Sequence, residues 1–157
     1  MSDSGFHRIT KGLFIGDLKA AKNLNLLQSH SISHLLICGA ELDPLYPDYF
    51  IIKKLGILDN WKFEIGDCFM EGIEFLNQTI CNSGNILVYC NKGKSRSPTI
   101  VIGYLMKYHD LKFTYALERV KKLHPQTSPI KSFIRFLRDF EGKLSTDKSN
   151  SCYCNIW

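Results

Sequence analysis

The sequence predicts an α/β domain, with a central mixed sheet flanked by helices. Three observations carry that reading. Short apolar runs such as His34-Leu35-Leu36-Ile37-Cys38 and Ile86-Leu87-Val88-Tyr89 are bounded by polar or glycine-containing turns, the pattern of buried strands. Elsewhere apolar residues recur at helical spacing, as in Ile65, Phe69, Ile73, Leu76 and Ile80. Strands dominate the first part of the 157-residue chain and helices the rest, with no internal repeat. At this length one domain with a substantial core is expected.

Phe6-His7-Arg8-Ile9 and Leu13-Phe14-Ile15-Gly16 predict two short strands. Asp17 is suited to cap a helix from Leu18 to Lys22, and a second short helix covers about Leu24 to Ser29. The strand His34–Cys38 ends at Gly39, and residues 40–48, with Pro44 and Pro47, form a loop. Tyr49 to Ile57 reads as another strand and residues 64–81 as an amphipathic helix. Asn82-Ser83-Gly84-Asn85 turns the chain into the strand Ile86–Tyr89. From Ser97 to Met106 the pattern is apolar almost all round, a core helix with Pro98 near its first turn, where a missing N–H costs nothing. Phe113, Ala116, Leu117, Val120 and Leu123 mark a helix over 113–124. Ile130, Phe133, Ile134, Leu137 and Phe140 mark the last, with Ser128 as its cap and Pro129 at its first position. The folded domain is placed at 1–142. The polar stretch from Glu141 to Ser151 reads as a linker or frayed end, and 143–157 as a tail ending in a cysteine-containing segment.

Composition narrows the function. A net charge of +5 favours anionic substrates, but no aromatics interleaved with Lys or Arg suggest a base-stacking surface, so nucleic acid is not expected as a partner. No apolar run reaches the roughly 18 residues a membrane span needs. The start, Met1-Ser2-Asp3-Ser4-Gly5, has no basic region followed by an apolar stretch, so no signal peptide is read there. Six cysteines, at 38, 68, 81, 90, 152 and 154, read as reduced thiols rather than a disulfide framework. No His/Cys/carboxylate cluster has ligand spacing, so neither metal nor other cofactor is expected. Cys154 lies at the position of a prenylated cysteine, with Cys152 beside it, but a terminal Trp157 is unusual there and a lipid anchor is not expected.

The chemistry concentrates where the strand Ile86–Tyr89 meets the helix that begins near Ser97. Cys90 ends the strand, and the loop Asn91-Lys92-Gly93-Lys94-Ser95 closes onto a helix N-terminus. Backbone N–H groups of such a loop bind an anion, and the same field stabilises a thiolate. Arg96 adds a planar fork that grips two phosphate oxygens. Attack by Cys90 on phosphorus would expel an oxyanion that needs a proton. Asp59, in a loop at a strand's C-terminal edge, is better placed to give it than Asp67, which falls inside a helix pattern. Ser97 can donate to the sulfur or cap the helix, Ser95 reads as a residue that shapes the loop, and His109 and His124 read as helix-end cations.

Cys90 to Arg96 matches the C-x5-R signature of protein tyrosine phosphatases, and Cys90-x-x-Gly93-x-Ser95-Arg96-Ser97 resembles their dual-specificity branch, over about Arg8 to Phe140. The resemblance implies a dual-specificity phosphatase-like fold and a phosphocysteine intermediate. It implies Cys90 as nucleophile, Asn91 to Arg96 as the phosphate cradle, Asp59 as the acid and Ser97 as the residue that helps the sulfur leave. A reactive thiolate needs a reducing compartment, hence an expected cytoplasmic location. The chain has no length for the extra loop that deepens the pocket of the tyrosine-specific branch, so phosphoserine and phosphothreonine proteins join phosphotyrosine proteins as expected substrates.

Two positions depart from the family. Tyr89 stands where histidine usually precedes the cysteine, and it can donate a hydrogen bond but carries no positive charge. Ile130 follows the proline where asparagine often bonds toward the loop. Lys92 and Lys94 read as solvent-facing charges, although lipid-phosphatase relatives place basic residues in this loop and Lys94 matches that pattern. Two alternatives therefore stay open: a phosphoinositide or other phospholipid phosphatase on the same fold, with anionic phospholipid as partner, and a weakly active phosphate-binding module.

Overall fold

The computed structural model describes residues 5–147. Five strands, β1 (Phe6–Thr10), β2 (Leu13–Gly16), β3 (His34–Cys38), β4 (Ile51–Leu55) and β5 (Ile86–Tyr89), form one sheet in the order β1-β2-β5-β3-β4. β1 and β2 run antiparallel, and the other pairs are parallel. The helices are α1 (Leu18–Ala21), α2 (Leu24–Ser29), α3 (Gly66–Cys81), α4 (Arg96–Tyr108), α5 (Phe113–Leu123) and α6 (Lys131–Thr146). The expected mixed sheet flanked by helices is what the chain forms.

Local chemistry explains the element ends. The Asp17 carboxylate accepts from the Ala20 N–H at 2.8 Å and caps α1, and the Asn23 side chain does the same for α2 through the Leu26 N–H at 3.0 Å. β4 is shorter than the apolar run that predicted it. Its partner β3 offers only His34 to Cys38, so pairing starts at Ile51 and stops at Leu55. The N-cap residue of α6 is Ile130, without a side-chain cap, and Ser128 is not the cap its sequence position suggested. Its N–H instead donates to the Lys94 carbonyl at 2.7 Å. α6 also continues past residue 142 to Thr146, because Leu144 still packs on the core. Glu141, read from sequence as the start of a linker, accepts with its carboxylate from the Phe113 N–H and so caps α5. Cys38, Cys68 and Cys90 are free thiols, whereas Cys81 is disulfide-bonded, which corrects the expectation of reduced cysteines throughout. Cys152 and Cys154 lie outside the described residues.

The sheet separates two apolar clusters. The larger, with α3 to α6, takes Ile86, Val88 and Cys90 from the β5 segment; the smaller, with α1 and α2, takes Leu87 and Tyr89. That alternation is the two-residue period of a strand. α4 packs closely against α3: a Cβ built at Gly103 would stand 2.1 Å from Phe69 Cζ. Phe69 is held edge-on by Phe136 and Phe140, with ring centroids at 4.8 and 4.7 Å. α4 is thereby fixed over the centre of the sheet with its N-terminus at the end of β5. Among the described residues no helix is long and apolar enough to cross a membrane, and no group of three or more His, Cys, Asp or Glu could hold a metal ion.

Candidate active site

The loops after β3, β4 and β5 leave the same edge of the parallel part of the sheet. They bring Glu41, Asp59 and Cys90 to one end of the domain, the edge at which open α/β sheets bind ligands. A cavity there measures about 490 Å³ and is lined by Asp59, Cys90, the loop residues Asn91, Lys92, Lys94 and Ser95, and Arg96. Gln126, Ser128 and Ile130 complete the wall. Cys90 is buried at the floor, with its Sγ 3.2 Å from the Ser97 Oγ. Ser97 is the second residue of α4 and Ser95 is the N-cap, so Ser97 serves the sulfur rather than the helix end.

The loop between Cys90 and Arg96 is held from outside. The Asn91 carbonyl accepts from the Leu18 N–H at 3.1 Å, and the Lys94 carbonyl accepts from the Ser128 N–H at 2.7 Å. The Gly93 carbonyl accepts from the His124 Nε2 at 2.6 Å. A trans peptide directs its C=O and the following N–H to opposite sides. Drawing these three carbonyls outward therefore turns the N–H groups of Lys92, Lys94 and Ser95 toward the cavity. Within the described residues, none of the N–H groups of residues 91–95 donates to a backbone carbonyl. The Ser95 hydroxyl makes no cap for α4; it accepts from the Ile130 N–H at 3.0 Å, while Gly93 supplies the positive φ of 66° that the loop's reversal needs. The Ile130 backbone thus provides the link to the loop that its side chain cannot.

Arg96 closes the other side. It is buried, with Nη1 2.6 and 2.7 Å from the two Glu41 carboxylate oxygens and 3.4 Å from the Ile57 carbonyl. Gly39 leaves room for it, since a Cβ there would stand 2.8 Å from Nη1. Burial pushes the Glu41 carboxyl up, but the hydrogen bond and positive charge of Arg96 outweigh it and hold Glu41 below its ordinary range. Asp59 lines the mouth, exposed, whereas Asp67 sits in the first turn of α3 and is absent from the lining. Lys92 and Lys94 are exposed as expected, yet both also form part of the cavity wall.

Tyr89 does not reach this site. It is buried in the smaller cluster on the opposite face of the sheet, and its hydroxyl has no hydrogen-bond partner among the described residues. Burial pushes its phenol well up, so it stays neutral. The hydrogen bond that a tyrosine can donate is therefore not made beside Cys90. His124 corrects a second expectation. It is fully buried rather than a solvated cation at a helix end, and burial lowers its pKa. Sequence reasoning also missed Glu41, Gln126 and Ser128. For Glu41 the available signal was an acidic residue just past the end of β3, on the edge that carries the cysteine loop.

A floor of sulfur, a ring of inward N–H groups and a guanidinium form a receptacle for a tetrahedral oxyanion, with a carboxylic group at its mouth. Residues 13–143 match the family model described as dual specificity phosphatase, catalytic domain. The chain is 39% identical over 136 residues to dual specificity protein phosphatase 1 of Arabidopsis thaliana, covering 87% of this chain and 69% of that protein. It is 40% identical over 136 residues to dual specificity protein phosphatase 1B of the same plant, covering 87% and 81%. It is similar to the crystal structure of DUSP15 with a TM-score of 0.83 at 28% identity, over 95% of this chain and all of that one.

Proposed function

From the premise that the chain belongs to the dual specificity phosphatase family, hydrolases of phosphoesters, we propose a residue-by-residue course for its reaction on phosphorylated proteins. Cys90 Sγ attacks phosphorus, a P–S bond forms and the P–O bond to the substrate breaks. Asp59 gives its proton to the departing oxygen. The N–H groups of Lys92, Lys94 and Ser95, with the guanidinium of Arg96, hold the non-bridging oxygens and stabilise their charge in the transition state. Asp59, now a carboxylate, takes a proton from water as that water attacks the phosphocysteine. The P–S bond breaks while the Ser97 hydroxyl donates to the leaving sulfur, and inorganic phosphate departs. No step draws on a metal or cofactor. The observation that carries this reading is the ring of three outward-tethered carbonyls, which leaves inward N–H donors around Cys90. A thiolate nucleophile at Cys90 suits a reducing compartment such as the cytoplasm, whereas the disulfide at Cys81 argues the other way.

One observation favours a second substrate class on the same machinery. Lys92 and Lys94 both stand in the cavity wall, where they suit a ligand with more than one phosphate, such as a phosphoinositide headgroup. Initial rates on phosphotyrosine and phosphothreonine peptides against inositol phospholipids in vesicles decide between the two. Protein phosphatase activity requires the peptides to be turned over faster at matched concentration; a reversed order assigns the lipid. Cys90→Ser must abolish turnover of every substrate while retaining phosphate binding. Residual hydrolysis above a trace would remove Cys90 from the role of nucleophile.

A further inference from the structure

We propose that His124 is a positioning residue that locks the cysteine loop in its anion-binding form by holding the Gly93 carbonyl away from the cavity. The proposal rests on the reading of that loop as the phosphate site. Of the three outward tethers, two are backbone-to-backbone and survive any side-chain change. The third is the His124 imidazole, so it alone is set by residue type.

Its protonation state follows from its partners. A carbonyl oxygen only accepts, so Nε2 carries the proton toward Gly93. Burial lowers the pKa of His124; the Gly93 bond and Asp17 oppose that, and His7 adds to it. The net lowering keeps the imidazole neutral near pH 7, and a neutral imidazole with a proton on Nε2 has a bare Nδ1. The His7 Nδ1 lies 2.7 Å from that nitrogen and must donate to it. His7, on β1, thus selects the tautomer that His124 presents to the loop.

The tethered peptide is the one most in need of restraint. Gly93 is the loop residue with positive φ, and a residue without Cβ rotates its flanking peptides at small cost. Rotation of the Gly93–Lys94 peptide would point a carbonyl oxygen at the bound phosphate and turn the Lys94 N–H away. A donor would be exchanged for a repulsive acceptor. A Cβ at Gly93 would stand 3.0 Å from the Gly16 carbonyl oxygen and 3.3 Å from His124 Nε2, so the close approach of the imidazole and the Gly16 backbone leaves room here only for glycine.

The test compares wild type, His124→Phe and His124→Gln at a temperature where circular dichroism shows all three folded. The readouts are orthovanadate inhibition and the kcat and KM for an aryl phosphate. Phenylalanine fills the space without a donor, whereas the glutamine amide can still donate to Gly93. His124→Phe should weaken vanadate inhibition and lower kcat/KM by about 10²-fold, the lower end of what one lost oxyanion donor costs. His124→Gln should recover most of both. Unchanged vanadate inhibition in folded His124→Phe, with only a lower melting temperature, would reduce His124 to a structural residue and overturn the proposal. Equal losses in both variants would do the same. A wild-type protein that neither hydrolyses the ester nor binds vanadate would instead remove the phosphatase reading itself. Imidazole 15N NMR of the wild type gives a reading that needs no variant. A proton on Nε2 and none on Nδ1 at neutral pH is expected, and the opposite tautomer would overturn the proposal.

Discussion

Replacing one glycine by alanine should destabilise this protein at Gly103 and stabilise it at Gly142, although both sit inside helices. Alanine is favoured over glycine in a helix interior by about 1 kcal/mol. At Gly103 that gain meets a collision. The new Cβ would lie 2.1 and 2.3 Å from Phe69 Cζ and Cε2, against a usual carbon–carbon contact of about 3.5–4.0 Å. Phe69 cannot swing aside, because Phe136 and Phe140 pack edge-on against it and it is fully buried. The cost therefore falls near the top of the usual overpacking range, about 3 kcal/mol. The net loss is about 2 kcal/mol. For a domain of this size that lowers the melting temperature by roughly 4–8 °C. Gly142, on the exposed face of α6, has nothing within 4 Å of a new Cβ, so the helix gain stands alone and the melting point should rise by roughly 2–4 °C. Thermal unfolding followed by circular dichroism measures both. A Gly103→Ala protein as stable as wild type would show that the α3–α4 contact is looser than 2.1 Å implies, and a destabilised Gly142→Ala would contradict the helix argument.

Asp59→Asn should slow alkyl phosphates most, by about 10²–10⁴-fold, and activated aryl phosphates least, because a good leaving group needs less protonation. Equal losses in a series of leaving groups, or a larger loss from Asp67→Asn, would move the acid elsewhere. Glu41 is held below its ordinary range, so its contribution to stability is present above the unfolded carboxylate range and is lost as pH falls through the lower folded value. At half exposure the pair with Arg96 is screened and contributes at most about 1 kcal/mol. Glu41→Gln should therefore be less stable than wild type at pH 7 in urea titrations, with the gap closing in acid, and should bind vanadate more tightly because Arg96 keeps its full charge for the anion. Tyr89→Phe should leave turnover unchanged and stability equal or up to about 1 kcal/mol higher, since a buried hydroxyl without a partner among the described residues is removed. A clear loss of activity in Tyr89→Phe would reinstate a role for that hydroxyl at the thiol.

What could be read from the sequence was what depends on neighbours along the chain. β3 and β5 lie where their apolar runs placed them, and the loop from Cys90 to Arg96 announced the anion site by residue type alone. Tyr89 was misjudged because it adjoins the nucleophile in sequence, whereas on a strand adjacent side chains face opposite ways and it ends in a different apolar cluster. His124 matched the rule for a cation at a helix end, a rule that assumes solvent. Burial and a partner 117 residues away overrode it. Glu41 meets Arg96 across 55 residues, and no local pattern reports such a pairing. α6 starts two residues later than a Ser128 cap predicts, and the segment before it is tied to the cysteine loop through the N–H groups of Ser128 and Ile130, contacts that no local pattern reports.

The five residues between Cys90 and Arg96 own little of their geometry. Their carbonyls are anchored at Leu18, His124 and Ser128, and the Ser95 hydroxyl at Ile130, points spread from near the start of the domain to its last helix. The heptapeptide is therefore not a portable catalyst, and the same letters on another scaffold would lack the donors that orient them. Within this protein, competence for catalysis must be among the last properties acquired on folding, because it awaits the docking of α1, α5 and the segment before α6. It should also be among the first lost. In rising denaturant, activity would fade while the sheet and its helices still give a native circular dichroism spectrum.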